Sequence, residues 1–271
     1  MAERDDAFRY TSAPERRQRL VTYITEQGYC TIAELSRIFG VSEMTIRRDV
    51  WKLVQQGEVR GFRGGVGSLT RQDLAGSDYR LRDMKMGAAK HAIAGAAVDL
   101  IGGNSIIALD AGTTTAQLAP VLPGDRDLCV ITHSLPVVSE LARHTGTEVI
   151  CLGGTLHSGS LSFDGPATLS AISNLHVEVL FLAATGLGER GVFCGNGYDA
   201  ITKRALIEVS ERVVLVTDSS KWETQAMVRV CGWDAIDTIV VDSGIADERR
   251  QFLIQHGVTV IVAEIPLSLP A

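Results

Sequence analysis

VSEMTIRRDVWKL, residues 41–53, lays an apolar stripe and a cationic face along one stretch of helical periodicity. Ser42 suits an N-cap, because its hydroxyl can accept from an amide of the first turn. Ile46, Val50, Leu53 and Val54 follow at i, i+4, i+7 and i+8, one face of a 3.6-residue helix. Met44, Arg48, Trp51 and Lys52 fall on the opposite side, with Thr45 and Arg47 on its flanks. The inward stripe packs, and the outward face is left to bind.

Working upstream, T-I-A-E at Thr31 to Glu34 has the form of a capping box. Ile32, Leu35, Ile38 and Phe39 supply the apolar face of the helix it opens, and Gly40 suits its left-handed end. An earlier helix, about Pro14 to Gln27, carries Leu20, Val21 and Ile24 and stops at Gly28. Downstream, GEVRGFRGGV at 57–66 reads as two short extended pieces separated by glycines, a small wing bearing Arg60 and Arg63. Two helices joined by a short turn, the second cationic, with a hairpin behind them, make a winged helix-turn-helix. The alternative, a charged helix face that is simply solvated, has also to account for the two caps, their short spacing and the wing. Arginines can bond bidentately to guanine edges, and Ser, Thr and Lys suit phosphates or bases. The candidate DNA contacts are therefore Thr31, Ser42, Thr45, Arg47, Arg48, Lys52, Arg60 and Arg63, and the partner is double-stranded operator DNA. Trp51 is left with two roles: packing on the wing, or lying against a sugar-phosphate backbone.

A net charge of -6 over 271 residues argues against a nucleic-acid binder until it is divided along the chain. Residues 1–63 hold 11 Lys/Arg against 9 Asp/Glu, a net of +2, and the rest hold 15 against 23, a net of -8. The apolar fraction of 45% can fill a core. Five widely spaced cysteines form no CxxC pair or Cys/His cluster, so they read as buried thiols, with neither disulfides nor a structural metal expected. The polar start of the chain lacks a signal-peptide stretch, and no apolar run approaches the roughly 20 residues that span a bilayer. A cytoplasmic protein with no membrane partner is the expectation. The organisation reads as an arm at 1–13, the winged helix-turn-helix at 14–66, a polar linker at 67–84 and a larger domain at 85–271.

That larger domain opens on a helical pattern from Lys85 to Leu100. Seven apolar runs then alternate with helix-like segments: SIIALD (105–110), LCVIT (128–132), TEVICL (147–152), VEVLFLAA (177–184), RVVLVTD (212–218), DTIVVD (237–242) and VTVIVA (258–263). Near-continuous β-branched runs with helical connections predict an α/β domain, a parallel sheet in Rossmann-like layers covered on both faces. Ligands of such sheets sit at the carboxyl ends of the strands. There stand DAGTTT (Asp110, Gly112, Thr113, Thr114, Thr115), a T-H-S turn with His133, and a GGTL turn with Gly153 and Gly154. Lys203 and Lys221 come later. Each alone can be a cap, a turn or a solvated cation. Together they place donors, an acid and cations on one rim, which suits a small polyhydroxylated anion such as a sugar phosphate. The absence of GxGxxG and of GxxxxGK[ST] argues against a dinucleotide or P-loop nucleotide, and no cofactor is expected.

With VSEMTIRRDVWKL, GEVRGFRGGV, ALDAGTTT, ITHS, CLGGTL, FLAATGL and TKRALIEVSERVVLVTDSSKW in hand, the chain resembles the DeoR family of transcriptional regulators over about 15–264. The resemblance implies a repressor of sugar or polyol catabolism, with a sensor domain similar to ribose-5-phosphate isomerase. It implies DNA contact by Ser42, Thr45, Arg47 and Arg48, and contact with a phosphorylated effector near Asp110, Gly112, Thr113, Thr114, Lys203 and Lys221. The chain departs from the family at His133, where Asn is usual, at Arg63, where His commonly precedes the paired glycines, and along ERGVFCGNGYDAI (189–201). The expected function is an effector-controlled repressor working as a homo-oligomer, dimer or tetramer. The rival is a phosphosugar isomerase using Asp110 or Asp218 as acid/base and Lys221 for charge stabilisation. An isomerase has no use for residues 14–66.

Overall fold

The computed structural model describes residues 12–27, 29–62, 65–68, 79–83, 85–103, 106–124, 127–144 and 146–265. The chain divides into two compact units, 1–74 and 75–271. Among the described residues no helix is long and apolar enough to cross a membrane.

The first unit runs α1 (Ala13–Gln27), β1 (Tyr29–Thr31), α2 (Ile32–Phe39), α3 (Glu43–Gln55), β2 (Val59–Phe62) and β3 (Gly65–Ser68). The capping box forms: the Glu34 amide donates to the Thr31 hydroxyl at 3.2 Å, and the Thr31 amide to the Glu34 carboxylate at 2.8 Å. Gly40 takes φ +63°, the left-handed conformation in which its amide closes on Ser36 and turns the chain into α3. Leu20 and Ile24 of α1, Leu35 and Phe39 of α2, and Ile46 and Leu53 of α3 close one core. The wing is three-stranded, not the two expected: β1, too short to signal itself, pairs with β3, which pairs with β2.

The second unit begins inside the stretch read as linker. Tyr79–Asp83 form a short helix (α4), with Tyr79 buried and its amide donating to the Gly159 carbonyl at 2.6 Å. It continues through α5 (Gly87–Val98), β4 (Ile106–Leu109), β5 (Leu128–Thr132), α6 (Leu135–Leu141), β6 (Thr147–Cys151), β7 (Thr155–His157), β8 (Ser162–Asp164), α7 (Pro166–Ile172) and β9 (Val177–Ala183). Then come β10 (Gly186–Gly188), β11 (Gly191–Cys194), α8 (Gly197–Glu208), β12 (Ser210–Val216), β13 (Val228–Cys231), β14 (Thr238–Asp242), α9 (Asp247–Gln255) and β15 (Thr259–Ala263). All seven apolar runs become strands of one parallel sheet, ordered β15-β14-β12-β9-β4-β5-β6.

Alternate residues of each strand feed opposite cores, as a two-residue period requires. Leu180, Leu182 and Leu215 pack with Ile172, Leu206 and Leu253 of α7, α8 and α9. Val179, Phe181 and Val214 pack with Ile93 of α5 and Val137 of α6 on the other side. One segment read as helical is corrected: after β4, TTTAQLAPVL forms two 3-10 turns, Thr115–Gln117 and Ala119–Val121, since Pro120 cannot donate to a continuing helix. The thiols are all free, but Cys151 is exposed, against the expectation that every cysteine is buried.

Strand order reverses between β4 and β9. The chain lays β4, β5 and β6 outward in one direction, then returns with β9 beside β4 and proceeds the other way. In open parallel sheets, ligands bind outside the carboxyl ends of the strands at such a reversal.

Candidate DNA-contacting and effector sites

In the first unit, α3 buries Ile46, Val50 and Leu53 and exposes Arg47, Arg48 and Lys52, with Met44 80% and Trp51 62% exposed. The Ser42 hydroxyl accepts from the Thr45 amide at 3.2 Å and lies 2.9 Å from the Thr45 hydroxyl, so the cap also orients Thr45. Arg47 is 3.6 Å from Glu43, an exposed i,i+4 pair that holds it weakly. Arg48, Lys52, Thr45, Ser42, Arg16 and Arg17 line an open cleft of about 410 Å³ between the start of α1 and α3. Thr31 spends its hydroxyl on Glu34. Arg60 stands in β2 opposite Gly67, and Arg63 lies outside the described residues.

Asp49 was not singled out in the sequence, yet it is only 3% exposed on the packed side of α3. Arg16 donates to it at 2.7 Å and Arg17 at 3.4 Å, which docks the start of α1 onto α3. An acid between two members of an apolar stripe, with an Arg-Arg pair at the start of α1, was the available signal.

In the second unit, Asp110 follows β4 at the switch point and is fully buried. The Ala183 amide at the end of β9 donates to its Oδ2 at 2.8 Å, and Lys203 of α8 donates to the same oxygen. Asp199, one helical turn before Lys203, approaches its ammonium to 3.5 Å. His133 is buried beside them, its Nε2 3.6 Å from Asp110 Oδ1. Among the described residues, that Oδ1 and both His133 ring nitrogens have no hydrogen-bond partner. Unsatisfied buried polar atoms are costly, and their clustering at the switch point makes this a candidate place for a ligand's polar groups.

Electrostatics divide the roles within this cluster. Burial opposes ionisation of Asp110, but the Lys203 ammonium, His133 and two hydrogen bonds outweigh it and hold the carboxyl below the ordinary range. Burial likewise opposes the Lys203 charge, and Asp110 and Asp199 overcome it, raising that amine above the usual lysine value. Burial, then the Asp110 charge, pushes Asp199 up, and burial pushes His133 down towards its neutral form. Ligand atoms of Asp110, His133 and Asp199 lie within 4.8 Å of one another, a spacing a metal could bridge. The Lys203 ammonium already supplies the cation this acidic pair requires. What the cluster presents is a neutral imidazole and a carboxylate oxygen, groups that exchange hydrogen bonds with hydroxyls.

The other residues expected on the rim differ in role. Thr113 and Thr114 line the Asp110 turn in buried positions, while Thr115 turns inward and donates to the Asp110 carbonyl at 2.6 Å and the Gly112 carbonyl at 3.0 Å. Gly112 serves packing: a Cβ there would stand 2.4 Å from the Ala183 Cβ. Gly112→Ala is expected to destabilise the unit by about 1–3 kcal/mol through overpacking, read as a lowered denaturation midpoint in ligand-free protein. An unchanged midpoint would mean that the β4 turn yields freely. Gly154 is similarly tight, since its Cβ would meet Thr168 Oγ1 at 2.2 Å, and the Thr168 hydroxyl donates to the Gly153 carbonyl at 2.7 Å. Both glycines thus seat the β6 loop on α7. Lys221 lies apart from Lys203, after β12, 3.6 Å from the buried Asp218. Asp199 also went unnoticed in the sequence, although D-x-x-x-K is the i,i+4 spacing of a helical ion pair.

Residues 16–72 match the DeoR-like helix-turn-helix domain and residues 85–243 the DeoR C terminal sensor domain. The chain belongs to the DeoR family. A protein of Escherichia coli O157:H7 whose name refers to transcriptional repression of the aga operon is 33% identical over 94% of this chain and 95% of its own length. The L-fucose operon activator of Haemophilus influenzae is 29% identical over 91% of this chain and 99% of its own. Ribose 5-phosphate isomerase A from Neisseria gonorrhoeae gives a TM-score of 0.37 at 18% identity, covering 59% of this chain and 56% of that one, a likeness too weak to bear on function. This DeoR-family chain is a DNA-binding transcriptional regulator and not an enzyme, and the isomerase reading is set aside.

Proposed function

We propose that this regulator is a repressor of carbohydrate or polyol catabolism genes, releasing or gripping its operator according to whether a phosphorylated sugar occupies the β4/β9 crevice. The observation that carries the reading is the pairing, in one chain, of an exposed cationic α3 with a buried, incompletely satisfied Asp110–His133–Lys203 cluster at the switch point of a second domain. Ser42, Thr45, Arg47, Arg48 and Lys52 are the DNA contacts in this reading, with Arg48 and Lys52 facing the groove. Asp110 and His133 receive the ligand's hydroxyls. Names that refer to the aga and L-fucose operons among the relatives support carbohydrate control. The working form is a homo-oligomer, because one winged helix reads only a short half-site.

Ligand bound only by the folded state must stabilise it, by about 2.7 kcal/mol at a hundred times Kd. Thermal denaturation of the full chain against a panel of phosphorylated sugars and polyols should therefore raise the midpoint for at least one of them. Its unphosphorylated counterpart should act more weakly. If no compound in the panel moves the midpoint, the sensor reading fails.

A further inference from the structure

Apolar residues stand on both faces of α3. Ile46, Val50 and Leu53 are buried, but Met44 and Trp51 are 80% and 62% exposed on the opposite side. Single exposed apolar side chains are common on soluble proteins, so exposure alone assigns nothing. What marks Met44 is its surroundings. It lines the open cleft beside Thr45, Arg48 and Lys52. Asp49 holds Arg16 and Arg17, whereas Arg48 and Lys52 stay exposed, which makes the mouth of the cleft cationic. Glu43 is turned about 100° around the helix from Met44 and lies 3.6 Å from Arg47, so its carboxylate is drawn to the flank. Met44 is also the second residue of the helix. Side chains lean towards a helix's N-terminus, and Met44 therefore projects past the end whose residues meet base edges in docked helix-turn-helix proteins. Trp51 stands seven residues on, about 10 Å further along the axis.

We propose that Met44 is a specificity-determining residue that reads the C5 methyl group of an operator thymine, one in each half-site. This rests on the reading that α3 faces the groove, and it adds an apolar reader to the polar contacts of that face. The charges around Met44 favour DNA as its occupant over an apolar protein surface, and in the major groove the thymine methyl is the apolar group a base presents. An unbranched thioether with three rotatable bonds can follow the groove floor to reach it. Arg48 is four residues on and hence a surface neighbour of Met44, their Cβ atoms about 5–6 Å apart. Bases of one strand rise about 3.4 Å each, which sets the thymine one or two steps from the base that Arg48 reads. The two side chains then report different things: Arg48 a hydrogen-bonding edge, Met44 a methyl group.

The probe is a duplex selected by the full chain from a randomised pool, remade with each thymine of one half-site replaced in turn by deoxyuridine, which pairs alike but lacks the methyl. Wild-type affinity should fall about 3- to 5-fold at one position, the worth of one buried methyl group. That position should lie within two base pairs of the one where Arg48→Ala relaxes base preference. Met44→Ala alters both half-sites and should weaken binding to the thymine duplex about 10- to 25-fold, while deoxyuridine costs it nothing further. Met44→Leu, apolar and of similar volume, should keep most of the wild-type affinity and its methyl effect. Met44 is exposed, so neither variant loosens the fold. If no thymine shows a methyl effect in the wild type, or Met44→Ala shows it undiminished, the contact is refuted. Altered base preference in Arg48→Ala, with every deoxyuridine duplex bound by the wild type as tightly as thymine, would leave α3 in the groove and remove Met44 from its base contacts. A methyl effect lost in Met44→Ala, with Arg48→Ala binding as the wild type does, would keep Met44 and overturn the reading of Arg48.

Discussion

Asp110→Ala is expected to lower the unfolding free energy of the second domain by about 3 kcal/mol, the largest stability effect of any single change on the rim. The carboxylate is fully buried and shared by Lys203 and the Ala183 amide, so its removal leaves a buried ammonium with one remaining partner. That partner softens the loss. Asp199 is pushed up partly by the Asp110 charge, and without it Asp199 ionises more readily and takes over Lys203 at 3.5 Å. The cost therefore falls at the lower end of the roughly 3–5 kcal/mol typical of a broken buried pair. Asp110→Leu with Lys203→Met should be more stable than Asp110→Ala alone, because no uncompensated charge remains. Denaturant titration of both variants checks this, and equal destabilisation would show that Lys203 is not the group left stranded. The pH dependence follows from the same pair. With its folded pKa held below 3.8, Asp110 contributes stability fully above the unfolded value and loses it as pH falls through the folded one. Lys203, raised when folded, contributes below 10.5 and loses its share as pH rises through its folded value. Asp110→Ala should flatten the acid limb.

Arg48→Ala should weaken operator binding by about 1–3 kcal/mol, roughly 5- to 150-fold, and relax base preference at one position of each half-site. Arg48 is exposed on α3, lines the cleft beside Thr45 and Lys52, and takes no part in the pair that holds Asp49. Truncating it removes binding without loosening the fold. Lys52→Ala is the contrast: a phosphate contact should weaken all sequences alike and reduce the salt slope by about one. Binding measured on operator and on random DNA separates the two, and equal loss on both for Arg48→Ala would reduce it to a backbone contact.

What could be read from the sequence follows from how strongly each element signals itself. The seven sheet strands, buried on both faces, are near-continuous apolar runs, and all were legible. The caps at Thr31, Gly40 and Ser42 were legible because each is a single residue with one strong local preference. The β7–β8 hairpin and the β10-β11-β13 sheet were not, since strands of three or four residues carry too little periodicity. Tyr79–Asp83 was hidden in a polar stretch, and only tertiary contact reveals that its Tyr79 packs and its Arg82 carbonyl caps Lys90. At the site, Asp110, His133 and Lys203 were each singled out, but 93 residues separate the acid from the lysine that neutralises it. Their pairing needed the fold.

One titration addresses directly the coupling between effector binding and operator binding. Fluorescence anisotropy of labelled operator DNA is measured with the full chain, at fixed salt, with and without the phosphosugar that most raises its thermal midpoint. A change in apparent Kd of about tenfold, 1.4 kcal/mol, is expected, lost in Asp110→Asn, while the unphosphorylated sugar leaves the curve in place. Superimposable curves at saturating phosphosugar would contradict it.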